Sequence, residues 1–210
     1  MKTLLINASP KKGDSASRRL LEIVRQELGE SAEQIGLHSE HLSDDHACRF
    51  AGTDQWVFFF PLYVDGLPSH LLSCLVDLKA AAPALGPATV YGVVNCGFFE
   101  GEQTRFALEV LANWSAAAGL AYGGGLGIGG GGAVRSLPVK TSGPLGPVVR
   151  QLKELAGRLR EPDGRAETAY ANLAFPRALY KAAGEADWRH QIRQNGGRRR
   201  DLWNRPDAEA

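Results

Sequence analysis

Apolar positions along this chain switch between two periods. Thr3, Leu4, Leu5 and Ile6 form an unbroken β-branched and apolar run, the mark of a strand covered on both faces. From there Leu20, Leu21, Val24 and Leu28 recur at the spacing of one helical face, which Gly29 can end. The alternation repeats downstream. Gln34 to His38 is a weak strand candidate, Trp56 to Phe60 and Thr89 to Val94 are strong ones, and a glycine-rich fifth lies near Leu120 to Ile128. Pro68 suits the first turn of a helix with Leu71, Leu72, Leu75 and Leu78 buried. A further helix would bury Phe106, Val110, Leu111, Trp114 and Ala118, and a last one runs from about Pro147 to Leu159.

Strands alternating with helices predict an α/β fold with a parallel sheet covered on both faces. Five strands with short connections fit a flavodoxin-like doubly wound sheet, order 2-1-3-4-5. This core is expected to span 1–161. Residues 162–210 are expected to form a C-terminal extension outside the sheet, packed on the core or on a partner subunit. Its Leu173, Phe175, Leu179, Tyr180 and Trp188 are too apolar and aromatic for a disordered tail, and Pro176 would interrupt a helix there. The run Arg198, Arg199, Arg200 reads as solvent-facing, with contact to an anionic group or a neighbouring subunit as the alternative.

Composition narrows the class. With 210 residues, 44% of them hydrophobic, the chain can build one sizeable core. A net charge of +1 gives no global reason to bind nucleic acid or an anionic membrane. No apolar run approaches the ~18 residues of a spanning helix, and Met1-Lys2 leads into a strand instead of a signal-peptide core. A soluble cytoplasmic protein is expected. Cys48, Cys74 and Cys96 are odd in number and widely spaced, which argues for reduced thiols over a disulfide framework.

The chemistry gathers where strands end. Asn7 to Ser17, NASPKKGDSAS, joins the first strand to the first helix. Free N–H groups and the positive end of the helix dipole converge at such a junction and favour an anion. Ser9, Ser15 and Ser17 add hydroxyls, and Gly13 allows a turn. The motif taken alone is equally an ordinary helix start with Ser15 as N-cap. Two more specialised loops follow: PLYVDGLP from Pro61 to Pro68, and NCGFFEGEQ from Asn95 to Gln103. Leu62, Tyr63 and Phe98 can offer flat or apolar surface to a ring, while Asn95, Gly97 and nearby amides can bond its polar edge. Together the loops imply a flat heterocycle carrying a phosphate.

These three segments resemble those of the flavodoxin-fold NAD(P)H-dependent FMN reductases, a group that includes quinone reductases and azoreductase-like enzymes. Ala8 stands where that family commonly has Gly, and Lys11 where it often has Arg. The resemblance covers about residues 1–160. It implies that Ser9, Lys11, Ser15 and Ser17 hold the FMN phosphate. Pro61, Leu62, Tyr63 and Val64 would line one side of the flavin, with Asn95, Cys96, Gly97 and Phe98 on the other. It further implies NADH or NADPH as co-substrate, ping-pong transfer to a quinone, nitro or azo compound, and a homodimer. The flavin carries the chemistry, so no catalytic side chain is assigned. A non-enzymatic flavodoxin-type carrier and a flavin-poor binding or regulatory module are the alternatives; such carriers are usually strongly acidic, and this chain is near neutral.

Other motifs point less firmly. Gly125 to Gly130 satisfies G-x-G-x-x-G but is read as a flexible loop near the ligand, without a helix directly after it. His38, His41, His46 and Cys48 lie in what reads as a solvated loop and lack the spacing of a metal site. His70 can relay a proton or serve structure alone. Cys96 suits a small packing role better than redox exchange.

Overall fold

The computed structural model describes residues 1–162 and 164–203. Its six strands are β1 (Thr3–Asn7), β2 (Ala32–Gly36), β3 (Gln55–Pro61), β4 (Thr89–Asn95), β5 (Ala121–Ile128) and β6 (Glu167–Ala171). All pair in parallel, in the order β2-β1-β3-β4-β5-β6. The expected order 2-1-3-4-5 is therefore present with a sixth strand added at the β5 edge. This corrects the expectation of a five-stranded sheet that nothing beyond Glu161 joins. Glu167–Ala171 reads ETAYA, short and largely accessible, so it carries almost no apolar signal.

What admits β6 is written in β5. Gly124 has φ +101°, and a Cβ there would collide with the Glu167 backbone. A side chain on Gly127 would likewise meet Thr104 and Tyr170. The bare backbone of β5 lets its neighbours approach closely.

The helices are α1 (Ala16–Leu28), α2 (Asp44–Phe50), α3 (Ser69–Leu85), α4 (Arg105–Ala117), α5 (Gly131–Ser136), α6 (Gly146–Arg160) and α7 (Arg177–Gln194). Side chains on one face of the sheet, including Leu4, Ile6, Phe58, Phe60 and Val94, pack with Leu71, Leu75 and Leu78 of α3 and Leu108 and Leu111 of α4. By the pleat, Leu5, Val57, Phe59 and Val93 point the other way, toward the face where α1 and α6 pack together.

Three local readings change. The segment taken as a loop around His46 and Cys48 is helix α2, started by a capping box in which Ser43 Oγ accepts from the His46 N–H. Pro176 precedes α7 instead of breaking a helix, since proline fits the start where an N–H is not needed. Leu72, Phe106 and Val110 are exposed; α4 buries Ala107, Leu108, Leu111 and Ser115. That helix carries two apolar stripes, and only one meets the sheet.

The chain divides into two compact units, Met1–Ala174 and Phe175–Ala210. The second contains α7, which buries none of its residues, and a short 3-10 turn over Arg199–Trp203. No helix among the described residues is long and apolar enough to cross a membrane.

One face of α3 holds the loop after β2. Cys74 Sγ donates to the Ser39 carbonyl at 3.2 Å, and Asp77 accepts from the Leu42 N–H at 3.2 Å. His70, one turn before Cys74, is buried, and its Nε2 has no hydrogen-bond partner among the described residues. Burial lowers its pKa below the ordinary 6.5, with the Leu37 backbone opposing. The folded chain thus binds fewer protons than the unfolded chain just below pH 6.5. Stability from this group is complete above that pH and falls as the pH drops through it. Urea midpoints measured from neutral pH downward are expected to decline below this value, and more shallowly in His70→Asn.

Candidate functional site

The carboxyl ends of β1, β3, β4 and β5 surround a cleft of about 200 Å³. Its lining includes Ser9, Lys11, Ser15 and Ser17 from the first loop, Pro61, Leu62 and Tyr63 from the second, and Asn95, Cys96 and Gly97 from the third. Ten of the twelve residues named from the sequence thus share one concavity. Val64 and Phe98 lie outside its lining, and both are exposed.

Asn95 ties the loops together. Its Oδ1 accepts from the Ser17 hydroxyl at 2.8 Å, and its carbonyl accepts from the Leu62 N–H at 2.8 Å. The Ser17 hydroxyl proton is therefore committed to the loop junction. Ser15 Oγ accepts from the Arg18 N–H, and Ser9 Oγ accepts from the Lys11 N–H. Both hydroxyls keep a proton to donate. The Ser15 carbonyl takes the Arg19 N–H, so the Ala16 and Ser17 amides, which any helix start leaves over, have no partner among the described residues. An anion at this end of the cleft would meet two hydroxyls and two amides on the positive end of α1, with Lys11 beside them. The helix-cap and anion-site readings of Ser15 are compatible: it caps through its oxygen and can donate through its proton.

The second loop is strained. Tyr63 and Gly66 exchange backbone hydrogen bonds of 3.0 Å around Val64 and Asp65, whose φ angles are +47° and +58°. A β-branched residue with positive φ is uncommon, and strain of this kind collects at ligand loops. Tyr63 is 46% exposed, so it is no core aromatic.

Burial pushes the Cys96 thiol up to about 11. Its Sγ donates to the Glu100 carbonyl at 3.5 Å and more weakly toward Phe98. A neutral thiol so placed is a packing group. His70 is also absent from the cleft lining.

The sequence reading missed a fourth wall. Gly131, Gly132 and Arg135 line it beyond the three loops, while Ala16 joins the first loop's side. Gly125 to Ile128 belong to β5, and α5 begins at Gly131, which corrects the reading of this run as a flexible loop with no helix directly after it. The Gly131 N–H donates to the Cys96 carbonyl at 2.7 Å, and a Cβ on Gly131 would lie 3.1 Å from Asn95 Nδ2. The glycine run was the available signal.

Of His38, His41, His46 and Cys48, which lack the spacing of a metal site, the three histidines have other partners, His46 through Ser43. His38 Nδ1 meets the Ser9 carbonyl at 2.7 Å, and His41 lies 3.4 Å from Asp77. No group of three metal-ligating side chains converges among the described residues.

The fold is similar to that of solved structures. An NADPH-quinone reductase from P. pentosaceus matches at 15% identity and a TM-score of 0.58, covering 77% of this chain and 99% of that one. The chain has a flavodoxin-like fold. An NAD(P)H:quinone oxidoreductase from Methanothermobacter marburgensis (16% identity, TM-score 0.55) covers 77% of this flavodoxin-like chain and 96% of its own. A flavodoxin from Streptococcus pneumoniae (16%, TM-score 0.54) covers 75% and 97%. No protein-family model and no curated protein sequence matches.

Proposed function

We propose that this protein is an FMN-dependent NAD(P)H oxidoreductase, taking a hydride from NADH or NADPH and passing electrons to a quinone, nitro or azo compound. The observation that carries this reading is a single cleft joining an anion-competent helix start to two apolar, glycine-containing loops. FMN has a matching phosphate end and ring end. Gly97 and Gly132 line the cleft, and a Cβ on either would meet nothing within 4 Å, so space for a ligand is kept open there.

Ser9, Ser15, Lys11 and the Ala16 and Ser17 amides would hold the phosphate. Pro61, Leu62 and Tyr63 would flank the ring on one side, and Asn95, Cys96 and Gly97 on the other. The bound flavin supplies the redox chemistry, accepting a hydride and releasing electrons singly or in pairs. The chain's own work is to bind, orient and leave one face accessible. With its proton held well above neutral pH, Cys96 takes no covalent part. The three cysteines are free thiols, and a reducing cytoplasm would keep them so.

Mixing FMN-loaded protein with NADPH or NADH without oxygen is expected to bleach the visible flavin absorbance, and adding a quinone to restore it. A sample that binds FMN yet is bleached by neither nucleotide would make the protein a carrier of the flavodoxin type.

The same reading makes the protein a homodimer. Leu72 and Val76 on α3, and Phe106 and Val110 on α4, are apolar pairs one turn apart yet exposed, and α3 and α4 touch. Apolar side chains left exposed in this way suit a partner, and a second copy brings the same face to a twofold axis. Light scattering is expected to give a dimer mass for the wild type and a monomer mass for Phe106→Glu.

A further inference from the structure

Arg135 is the charged residue of the cleft lining that lies outside the three loops. It reaches the phosphate end from the opposite side of the sheet order, out of α5, which follows β5. Three features fix it there. The Gly130 and Gly131 amides bond the Phe98 and Cys96 carbonyls at 2.6 and 2.7 Å, so the chain leaving β5 lies directly against the third loop. Arg19, on the helix whose N-terminus faces the cleft, then donates to the carbonyls of Val134, Arg135 and Leu137. The backbone of Arg135 is thereby pinned to α1 itself. Finally, its side chain lines the cleft with Ser9, Lys11 and Ser15, and its Nε lies 3.8 Å from Asp14 Oδ2 of the phosphate loop.

That ion pair is long and exposed on both sides, with side-chain accessibilities of 48% and 65%. Pairs of this kind hold their partners weakly. A phosphate dianion carries more charge than one carboxylate and matches the guanidinium fork in two hydrogen bonds. It therefore competes well for Arg135.

Resting on the flavin reading above, we infer that Arg135 is a specificity-determining residue that selects the phosphorylated flavin over riboflavin. Asp14 holds its guanidinium when no phosphate is present and gives it up when one enters. The cleft then has a cation on each side of the phosphate, Lys11 from the first loop and Arg135 from α5. Because Asp14 competes for the same guanidinium, neutralising it strengthens phosphate binding.

The test is a set of equilibrium titrations of the full chain with FMN and with riboflavin, comparing wild type, Arg135→Gln and Asp14→Asn. Arg135→Gln is expected to weaken FMN binding roughly tenfold, the loss of one charge-assisted contact, and to leave riboflavin affinity unchanged. The unchanged riboflavin affinity also reports an intact fold. Asp14→Asn is expected to tighten FMN binding two- to threefold, about the share of an exposed competing pair. Inorganic phosphate should compete with FMN, and less in Arg135→Gln than in the wild type. Equal FMN affinities for wild type and Arg135→Gln, or weaker FMN binding by Asp14→Asn, overturn the assignment and leave the flavin reading standing. A wild type that binds neither flavin overturns that reading, and this inference with it.

Discussion

Gly97→Leu is expected to weaken FMN binding by roughly 100-fold, about 2.8 kcal/mol, while the melting temperature stays at the wild-type value. Gly97 follows β4, lines the cleft, and is exposed with nothing within 4 Å of an added Cβ. Its φ is not in the left-handed region, so leucine is tolerated by the backbone. The new side chain would enter the space assigned to the ring. Binding and folding thus separate at this position, which a merely structural glycine would not allow. Fluorescence titration with FMN beside thermal unfolding checks both halves; unchanged FMN affinity would place the ring elsewhere.

Gly124→Ala is expected to do the reverse, costing about 3 kcal/mol of stability through left-handed strain and overpacking together. The cause is local to the β5–β6 seam. Gly124 pairs with Glu167 in the parallel register, has φ +101°, and already sits against the Glu167 backbone. The methyl can be relieved only by moving β6 away. A urea midpoint lowered to that degree, with amide exchange of 167–171 accelerated ahead of the other strands, is the expected result. A midpoint within error of the wild type would mean that β6 is not held as described.

Where the chain was legible, strong local patterns agreed with one another. Thr3 to Ile6, the serines after Asn7 and the period of Leu20 to Leu28 could hardly be arranged otherwise than as β1, a turn and α1. The same holds for Trp56 to Phe60, whose length and burial on both faces left no helical reading. The two helix faces were less determinate. Phe106 and Val110 recur at a true helical spacing, but so do Ala107, Leu108 and Leu111, and periodicity alone cannot say which stripe meets the sheet. The apolar stripe left outside then becomes the surface proposed for a second copy.

Glu167–Ala171 was missed for a different reason. An edge strand half open to water needs little apolar character, and its pairing is encoded in the glycines of its neighbour. Arg135 was missed because α5 spans only six residues, too few for a period to show. The four glycines from Gly129 to Gly132 mark a close backbone approach, and such a run at the end of a strand can be read as a segment meant to lie against a site.

All of the proposed chemistry requires that this cleft bind FMN. Titrating FMN into the purified chain while following flavin fluorescence tests it directly. A flavin site here requires saturable uptake of one FMN per chain, with a change in fluorescence that ends at the equivalence point. Fluorescence that rises in simple proportion to added FMN, with no break, contradicts it.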